Sequence, residues 1–351
     1  MRAAVYHGAG DLRIEEVDDA EVREPTDAVV DVVTASMCGS DLYLYGGEVE
    51  DLVAPGRTTL GHEVCGIVSA IGSAVARFRV GDRVTPPYSV SCGTCPMCRL
   101  GQTAHCETSG KAIYGYGIAF GDLGGSHAEH VRVPLADGHL EHVPSEISDE
   151  AAVFLSCNLP AAVIVVDAAV IGVDDTVAVV GCGPTGLLAL ELARRRTARE
   201  IFAIDPSPFR RSEAARRGAT PLAPDDAADA VEAATSGRGV DRVLEIAGRG
   251  AAFDLAVALA RPGGLISGGG VYLERDHPVS LFDLFFKNLD LHLNGFANAR
   301  TAQWQAMELL RHGVVDPEPL LTERVTLSEL PGAAARFAAR EDGVLKLLVR
   351  P

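Results

Sequence analysis

Along the first third of the chain, short apolar runs at 3–6, 27–35, 64–71, 83–85 and 129–133 are separated by polar stretches rich in Gly and Pro. Runs of this length, bounded by turn-forming residues, predict strands of an irregular β-rich domain. From 149 onward the texture changes: Ala-rich helical segments alternate with short apolar runs at 177–180, 201–204, 242–246 and 264–267. Strands that are apolar on both faces and separated by helices predict a parallel sheet covered on both sides, a doubly wound α/β domain. After 289 the order is mixed again, with a helix expected over 301–312 and a strand over 344–349, and this tail is expected to return to the first domain. The expected division is 1–157, 158–293 and a return segment at 294–351.

Composition narrows the class. With 351 residues and 47% hydrophobic content, the chain can fill two cores. A formal net charge of -17 argues against a nucleic-acid surface, because phosphate binding needs clustered Lys and Arg. No 18-residue stretch is free of charge, and the most apolar segment, 159–173, is interrupted by Asp167, so no membrane span is expected. The N-terminus lacks the apolar core of a secretory signal, which makes the cytoplasm the expected compartment.

Of the eight cysteines, Cys92, Cys95, Cys98 and Cys106 crowd into one short segment. In a reducing compartment such crowding points to metal rather than disulfides. Spacings of two, two and seven intervening residues let four thiolates surround one tetrahedral zinc, which would be structural because the coordination sphere is closed. An iron–sulfur cluster is the rival, disfavoured because the Cys-Pro ending of the common cluster motif is missing.

A glycine fingerprint, Gly181-Cys182-Gly183-Pro184-Thr185-Gly186, follows the strand expected at 177–180 and opens a helix from 187. That context suits a dinucleotide pyrophosphate held at a helix N-terminus. The next strand ends at Asp205, where an acid would receive the hydroxyls of the adenine ribose and repel a 2′-phosphate. Arg210 and Arg211 could instead hold that phosphate. NAD is therefore expected over NADP, with helix N-capping as the alternative role for Asp205.

Two further segments carry possible metal ligands: Cys38-Gly39-Ser40-Asp41, and Gly61-His62-Glu63. With CGSD at 38–41, GHEVCG at 61–66, VGDRV at 80–84, the cysteine lobe, GCGPTG at 181–186 and RPGG at 261–264, the sequence resembles the zinc-dependent medium-chain dehydrogenases and reductases. The resemblance implies a GroES-like β-rich catalytic domain, built from both ends of the chain, and a Rossmann domain between them. It further implies two zincs per chain, a small alcohol or carbonyl substrate, and a homodimer or homotetramer. By resemblance, Cys38, His62 and Cys157 hold a catalytic zinc, with Glu63 as a nearby carboxylate that ligates or exchanges with water. A Cys2His set with an open position would let the metal bind a substrate oxygen and lower its pKa.

Ser40 would then take the substrate proton, on an extended segment that shares the face of Cys38. Many relatives carry His five residues after the cysteine ligand; this chain has Tyr43, a weaker base at neutral pH. His127 and His130 read as packing residues. Leu44, Phe120, Leu281 and Phe296 are candidates for substrate lining, with ordinary core as the plainer reading. The rival functions are an aldehyde-type dehydrogenase or dismutase, and a non-catalytic NAD-binding protein.

Overall fold

The computed structural model describes residues 1–49 and 52–351. The strands run in chain order as β1 (Arg2–Gly8), β2 (Asp11–Glu16), β3 (Ala28–Met37), β4 (Glu63–Ile71), β5 (Arg83–Thr85), β6 (His130–Val133), β7 (Glu141–His142), β8 (Val177–Val180), β9 (Ile201–Ile204), β10 (Thr220–Leu222), β11 (Val240–Glu245), β12 (Ala260–Gly268), β13 (Asp290–Leu293), β14 (Glu323–Thr326) and β15 (Leu347–Arg350). The chain forms two compact units, Met1–Pro160 with Asn298–Pro351, and Ala161–Ala297. These divide a few residues later than the expected 157 and 293.

In the first unit a seven-stranded sheet runs β14-β15-β3-β4-β5-β7, with β6 pairing β3 off that path. The C-terminal tail joins this sheet: β15 lies antiparallel to β3, with Leu347 opposite Met37. β3 and β4 are also antiparallel, with Ser36 opposite Glu63. The ends of three strands distant in sequence therefore meet. Val30, Met37, Val68, Leu155, Phe337 and Leu347 are among the buried apolar residues of this unit.

The second unit carries a six-stranded sheet of order β10-β9-β8-β11-β12-β13, every pair parallel. β8 and β9 are buried along their whole length, as their two-sided apolar character requires. Val180, Phe202, Ile204, Val231, Val243, Leu259 and Ile266 interlock as its core. Strand order reverses between β8 and β11, the position where doubly wound sheets bind ligands at their C-terminal strand ends. The hydrophobic pattern left β10 and β13 unread, since Thr220–Leu222 is only three residues long and Asp290–Leu293 is a largely exposed edge strand.

The glycine turn after β8 is sterically tight. Gly181 has φ +97°, and a Cβ on it would lie 2.8 Å from the Ala247 nitrogen. A Cβ on Gly186 would come within 1.9 Å of the Gly181 carbonyl oxygen, so helix Pro184–Arg194 can start there only because that residue has no side chain. Gly186→Ala is expected to lower unfolding free energy by about 3 kcal/mol, the scale of core overpacking, read by urea unfolding; a variant as stable as the wild type would contradict this packing.

Candidate metal centres and nucleotide site

β3 ends at Met37, and the chain then turns rather than continuing. Ser40 sits at φ -74°, ψ -24°, at the head of the helix Asp41–Tyr45. The expectation that Ser40 shares a face with Cys38 along an extended segment is therefore wrong. The turn arises because the Asp41 carboxylate accepts the Cys38 backbone N–H at 2.8 Å, bending the chain over its own side chain. Ser40 makes no side-chain cap bond to the helix it starts, so its hydroxyl is not spent on local structure.

His62 enters from Gly61, whose φ of +101° and bare Cα let the chain pass against the His127 ring. Cys157 is fixed through its neighbour: the Val64 N–H donates to Ser156 Oγ at 3.1 Å, and Thr85 Oγ1 lies 3.1 Å from the same atom. The outcome is a cluster in which one ligand atom from each of Cys38, His62, Glu63 and Cys157 lies within 4.8 Å of every other. Asn158 Nδ2 also reaches Cys38 Sγ at 3.7 Å.

Groups that support this cluster were not read from the sequence. His62 Nδ1 lies 3.0 Å from Asp41 Oδ1, an ion-pair distance at a poor hydrogen-bond angle. A carboxylate on Nδ1 orients the ring and leaves Nε2 for a metal. Asp41 stands inside the quoted CGSD motif, and its place between ligand and helix start was the available signal. Glu63 Oε2 accepts from Ser36 Oγ at 2.5 Å and pairs with Lys346 Nζ at 2.6 Å, all within the interior. Its Oε1 is buried without a hydrogen-bond partner. The chain has only three lysines, and one of them interrupts an apolar strand run at 344–349; that was the legible sign of Lys346.

The electrostatics suit a cation. A hydrogen bond from Cys157 holds the Cys38 thiol well below its ordinary range, outweighing burial and assisted by His62. Burial pushes Glu63 up to about 7, with Lys346 opposing the shift. Two thiols, an imidazole and an unpartnered carboxylate oxygen form a donor set that fits zinc.

The cysteine lobe fits a second zinc. Cys92, Cys95, Cys98 and Cys106 bring their sulfurs within 4.8 Å of one another. Cys92 Sγ is 4.0 Å from Cys98 Sγ, and Cys95 Sγ is 3.9 Å from Cys106 Sγ. Sulfurs on a tetrahedron around zinc stand about 3.8 Å apart. Partial burial works against the Cys92 thiolate, yet hydrogen bonds from Thr108 and from the Thr94 and Cys95 amides hold it at about 5.

In the second unit, Pro184 and Thr185 open the helix behind the glycine turn, with Gly183 as its N-cap. A Cβ on Gly183 would meet only Arg210 Nη1, at 3.8 Å, leaving the backbone open to a ligand. Asp205 is buried, its oxygens accepting the Cys182 N–H at 2.9 Å and the Ser207 N–H at 2.8 Å. It is not a helix N-cap: Ser207 caps Pro208–Arg216 by accepting the Arg210 N–H. Arg210 Nη1 stands 4.0 Å from Asp205 Oδ2, and Arg211 Nη1 is bound to the carbonyls of Asp205 and Pro206.

Among the remaining candidates, Leu44 is fully buried core, whereas Leu281 is 75% exposed. His127 is buried, with Nε2 3.3 Å from the Ser36 carbonyl, and His130 pairs with Asp31 at 2.8 Å. Tyr43 is half-buried on the helix that Ser40 starts.

Comparison with known proteins identifies the family. The Alcohol dehydrogenase GroES-like domain family matches residues 24–144, and the Zinc-binding dehydrogenase family matches 184–311. A probable zinc-binding alcohol dehydrogenase of Mycobacterium tuberculosis is 35% identical over 100% of this chain and 89% of its own length. The solved alcohol dehydrogenase TADH from Thermus sp. ATN1 superposes with a TM-score of 0.92 at 36% identity, covering 100% of this chain and 99% of that one. A zinc-binding dehydrogenase from Sinorhizobium meliloti, solved with NADP, gives a TM-score of 0.82 at 29% identity, covering 100% and 99%. The chain belongs to the zinc-dependent medium-chain dehydrogenase/reductase family. It is an oxidoreductase of the zinc-type alcohol dehydrogenase class, acting on small molecules.

One buried histidine near the lobe has a lowered pKa. His139 Nδ1 lies 3.2 Å from the Leu135 carbonyl, which can only accept, so Nε2 accepts the Tyr114 O–H at 2.9 Å. Burial holds His139 down at about 4, against an ordinary 6.5. The unfolded chain takes up this proton first as pH falls, so the contribution is complete above about pH 6.5 and is lost between 6.5 and 4. It amounts to about 3 kcal/mol. In urea unfolding across pH 4–7, His139→Gln should flatten the pH dependence in that window; an unchanged slope would contradict the assignment.

Proposed function

We propose that this protein oxidises a primary or secondary alcohol, polyols included, to the aldehyde or ketone, with NAD favoured over NADP and one zinc in each cluster. The observation that carries the reading is the convergence of Cys38, His62, Glu63 and Cys157 within 4.8 Å, with Ser40, whose hydroxyl caps no helix, two residues after Cys38. When bound, zinc supplies a Lewis acid that makes an alcohol hydroxyl acidic, and the nicotinamide supplies the hydride acceptor.

Cys38, His62 and Cys157 would hold the catalytic zinc, and Cys92, Cys95, Cys98 and Cys106 the structural one. Asp41 keeps the His62 ring aimed, and Lys346 holds one Glu63 oxygen while the other stays available to the metal or to water. Ser40 receives the alcohol proton, and Tyr43 on the following helix or solvent takes it onward. Gly181, Gly183, Pro184, Thr185 and Gly186 receive the pyrophosphate, and Asp205 the adenine ribose. NAD is favoured because a 2′-phosphate would meet the Asp205 carboxylate before Arg210 could neutralise it. Arg210 supports the NADP alternative, as does the NADP-bound Sinorhizobium relative.

A homodimer or homotetramer is the assembly we favour, supported by the edge position of β13 and by exposed Leu293, Phe282, Phe285 and Phe286 around it. The cytoplasm is the favoured compartment, supported by eight free cysteines. Among the described residues no single helix is long and apolar enough to cross a membrane.

Metal analysis together with turnover of 1-butanol, benzyl alcohol, 2,3-butanediol, sorbitol and formaldehyde tests the reading, with light scattering on the same preparation for the assembly. Two zincs and alcohol oxidation are expected, and Cys38→Ser should lose one zinc and all turnover while still binding NAD. Turnover of formaldehyde alone would favour the aldehyde-type alternative, and an active Cys38→Ser would refute the metal assignment. For the cofactor, Asp205→Ala should shift relative kcat/KM toward NADP by about tenfold. An unshifted ratio would assign discrimination to Arg210.

A further inference from the structure

Where its strand order reverses, the parallel sheet carries a buried carboxylate to which neither the glycine fingerprint nor the proposed cofactor contacts give a role. Glu245 is the last residue of β11, fully buried, on the strand beside β8. Its Oε1 accepts the Ala247 N–H at 2.9 Å and the Gly248 N–H at 3.0 Å. Its Oε2 accepts the Tyr272 hydroxyl, and its backbone carbonyl accepts the Gly269 N–H at 2.7 Å. One residue thus ties the loop after β11 to the loop after β12.

The two loops lie backbone against backbone. Gly248 has φ +67°, and a Cβ on it would stand 2.5 Å from the Val271 nitrogen, while a Cβ on Gly270 would strike the Gly248 nitrogen. The loop after β11 also abuts the glycine turn. The Ile246 N–H donates to the Val180 carbonyl at 2.8 Å, and the Ala247 nitrogen is the atom that a Cβ on Gly181 would meet. The Tyr272 ring packs edge-on against Phe253 of the helix Gly250–Leu259, with centroids 6.2 Å apart and planes at 84°. Two residues on, Glu274 Oε2 accepts the Gly250 N–H at 3.0 Å, so the segment is pinned to the start of that helix a second time. Burial raises the Glu245 pKa, and the Tyr272 hydroxyl and the two amides oppose that rise.

A dinucleotide on a doubly wound sheet lies across the C-terminal strand ends, with one mononucleotide on each side of the reversal. The glycine turn follows β8 and Asp205 follows β9, so the adenosine half takes that side and the nicotinamide half falls to the ends of β11 and β12. We propose that Glu245 and Tyr272 are positioning residues for the nicotinamide half of the cofactor, their hydrogen bond holding the backbone of 269–271 in the place where that half settles. The proposal rests on the reading of the glycine turn as the cofactor site. Neither residue takes part in a chemical step, and the phenol donates and the carboxylate accepts throughout turnover. Order built into the loop before the ligand arrives is subtracted from the cost of binding. Its loss should therefore fall on the affinity of the nicotinamide half and leave that of the adenosine half.

The test compares NADH with ADP-ribose, which lacks the nicotinamide ring, by titration calorimetry on the zinc-loaded wild type and Tyr272→Phe. The substitution keeps the ring against Phe253 and removes only the hydroxyl. NADH is expected to bind the variant about tenfold more weakly, the scale of one hydrogen bond, and ADP-ribose to stay within about twofold of wild type. The ratio of the two constants is the readout, because a variant that is partly unfolded loses both ligands by the same factor. Equal weakening of both ligands would mean a structural role alone and overturn the proposal, as would an unchanged NADH constant. A wild type that binds ADP-ribose as tightly as NADH would also overturn it, while leaving the glycine turn as a nucleotide site; a wild type that binds neither would overturn both. Should Tyr272→Phe fail to fold, Tyr272→Gln, which can still donate to the carboxylate, is compared with Tyr272→Leu, which cannot. The stronger preference for NADH over ADP-ribose is then expected in Tyr272→Gln, and equal preferences would overturn the proposal.

Discussion

The buried ion pair between Glu63 and Lys346 constrains the rest of the catalytic unit. Both groups are removed from solvent, and their charged atoms stand 2.6 Å apart. Burying two charges costs several kcal/mol each unless they meet in good geometry, and removing either would leave the other uncompensated. The pair can form only if the C-terminal strand lies against β3 with Leu347 opposite Met37, and if β4 starts with Glu63 opposite Ser36. The ionic contact and the strand register therefore require each other. That dependence explains why a segment at the far end of the chain belongs to the same unit as the first 160 residues.

From that anchor the cluster follows by short links. Glu63 follows His62 directly, the Ser156 hydroxyl ties the start of β4 to the segment bearing Cys157, and Asp41 ties Cys38 to its own turn. The Cys38 thiol, held well down, and the carboxyl groups of Asp41 and Glu63 share one interior with two cationic groups, Lys346 and a His62 ring raised well above its ordinary range. A divalent cation bound there would displace the His62 proton and give the buried Glu63 Oε1, which has no hydrogen-bond partner, a ligand. The cysteine lobe works differently. It is local in sequence, its sulfurs are set by the tight run from Cys92 to Cys98, and its closed set of four donors leaves no position for a substrate.

The nucleotide-binding unit shows how steric limits replace electrostatic ones. Gly186 is required because its Cβ would strike the Gly181 carbonyl, and Gly181 because its own would strike Ala247. Asp205 is held by two backbone amides before any ligand arrives, so its carboxylate is preorganised. Arg210, 4.0 Å away, puts an opposing charge at the same place, and the proposed cofactor preference rests on the balance between these two side chains.

Much of this was legible in the chain because it is local. The cysteine spacing, the strand–glycine–helix fingerprint, the two-sided apolar strands at 177–180 and 201–204, and the ordered family motifs all follow from neighbours within a few residues. What the tertiary structure decided depends on contacts between distant segments. Lys346 and Ser36 reach Glu63 only through strand register, and the Tyr116 ring meets His62 through a loop that docks on Gly61. Ser40 was found from its motif but misplaced in conformation, since a carboxylate accepting a backbone amide overrode the extended path that strand periodicity implied. Sequence patterns report which residue types recur at a local spacing. Which buried charges and hydroxyls end up facing each other is set by the packing of strands hundreds of residues apart, because only there does the cost of burying a polar group select its partner.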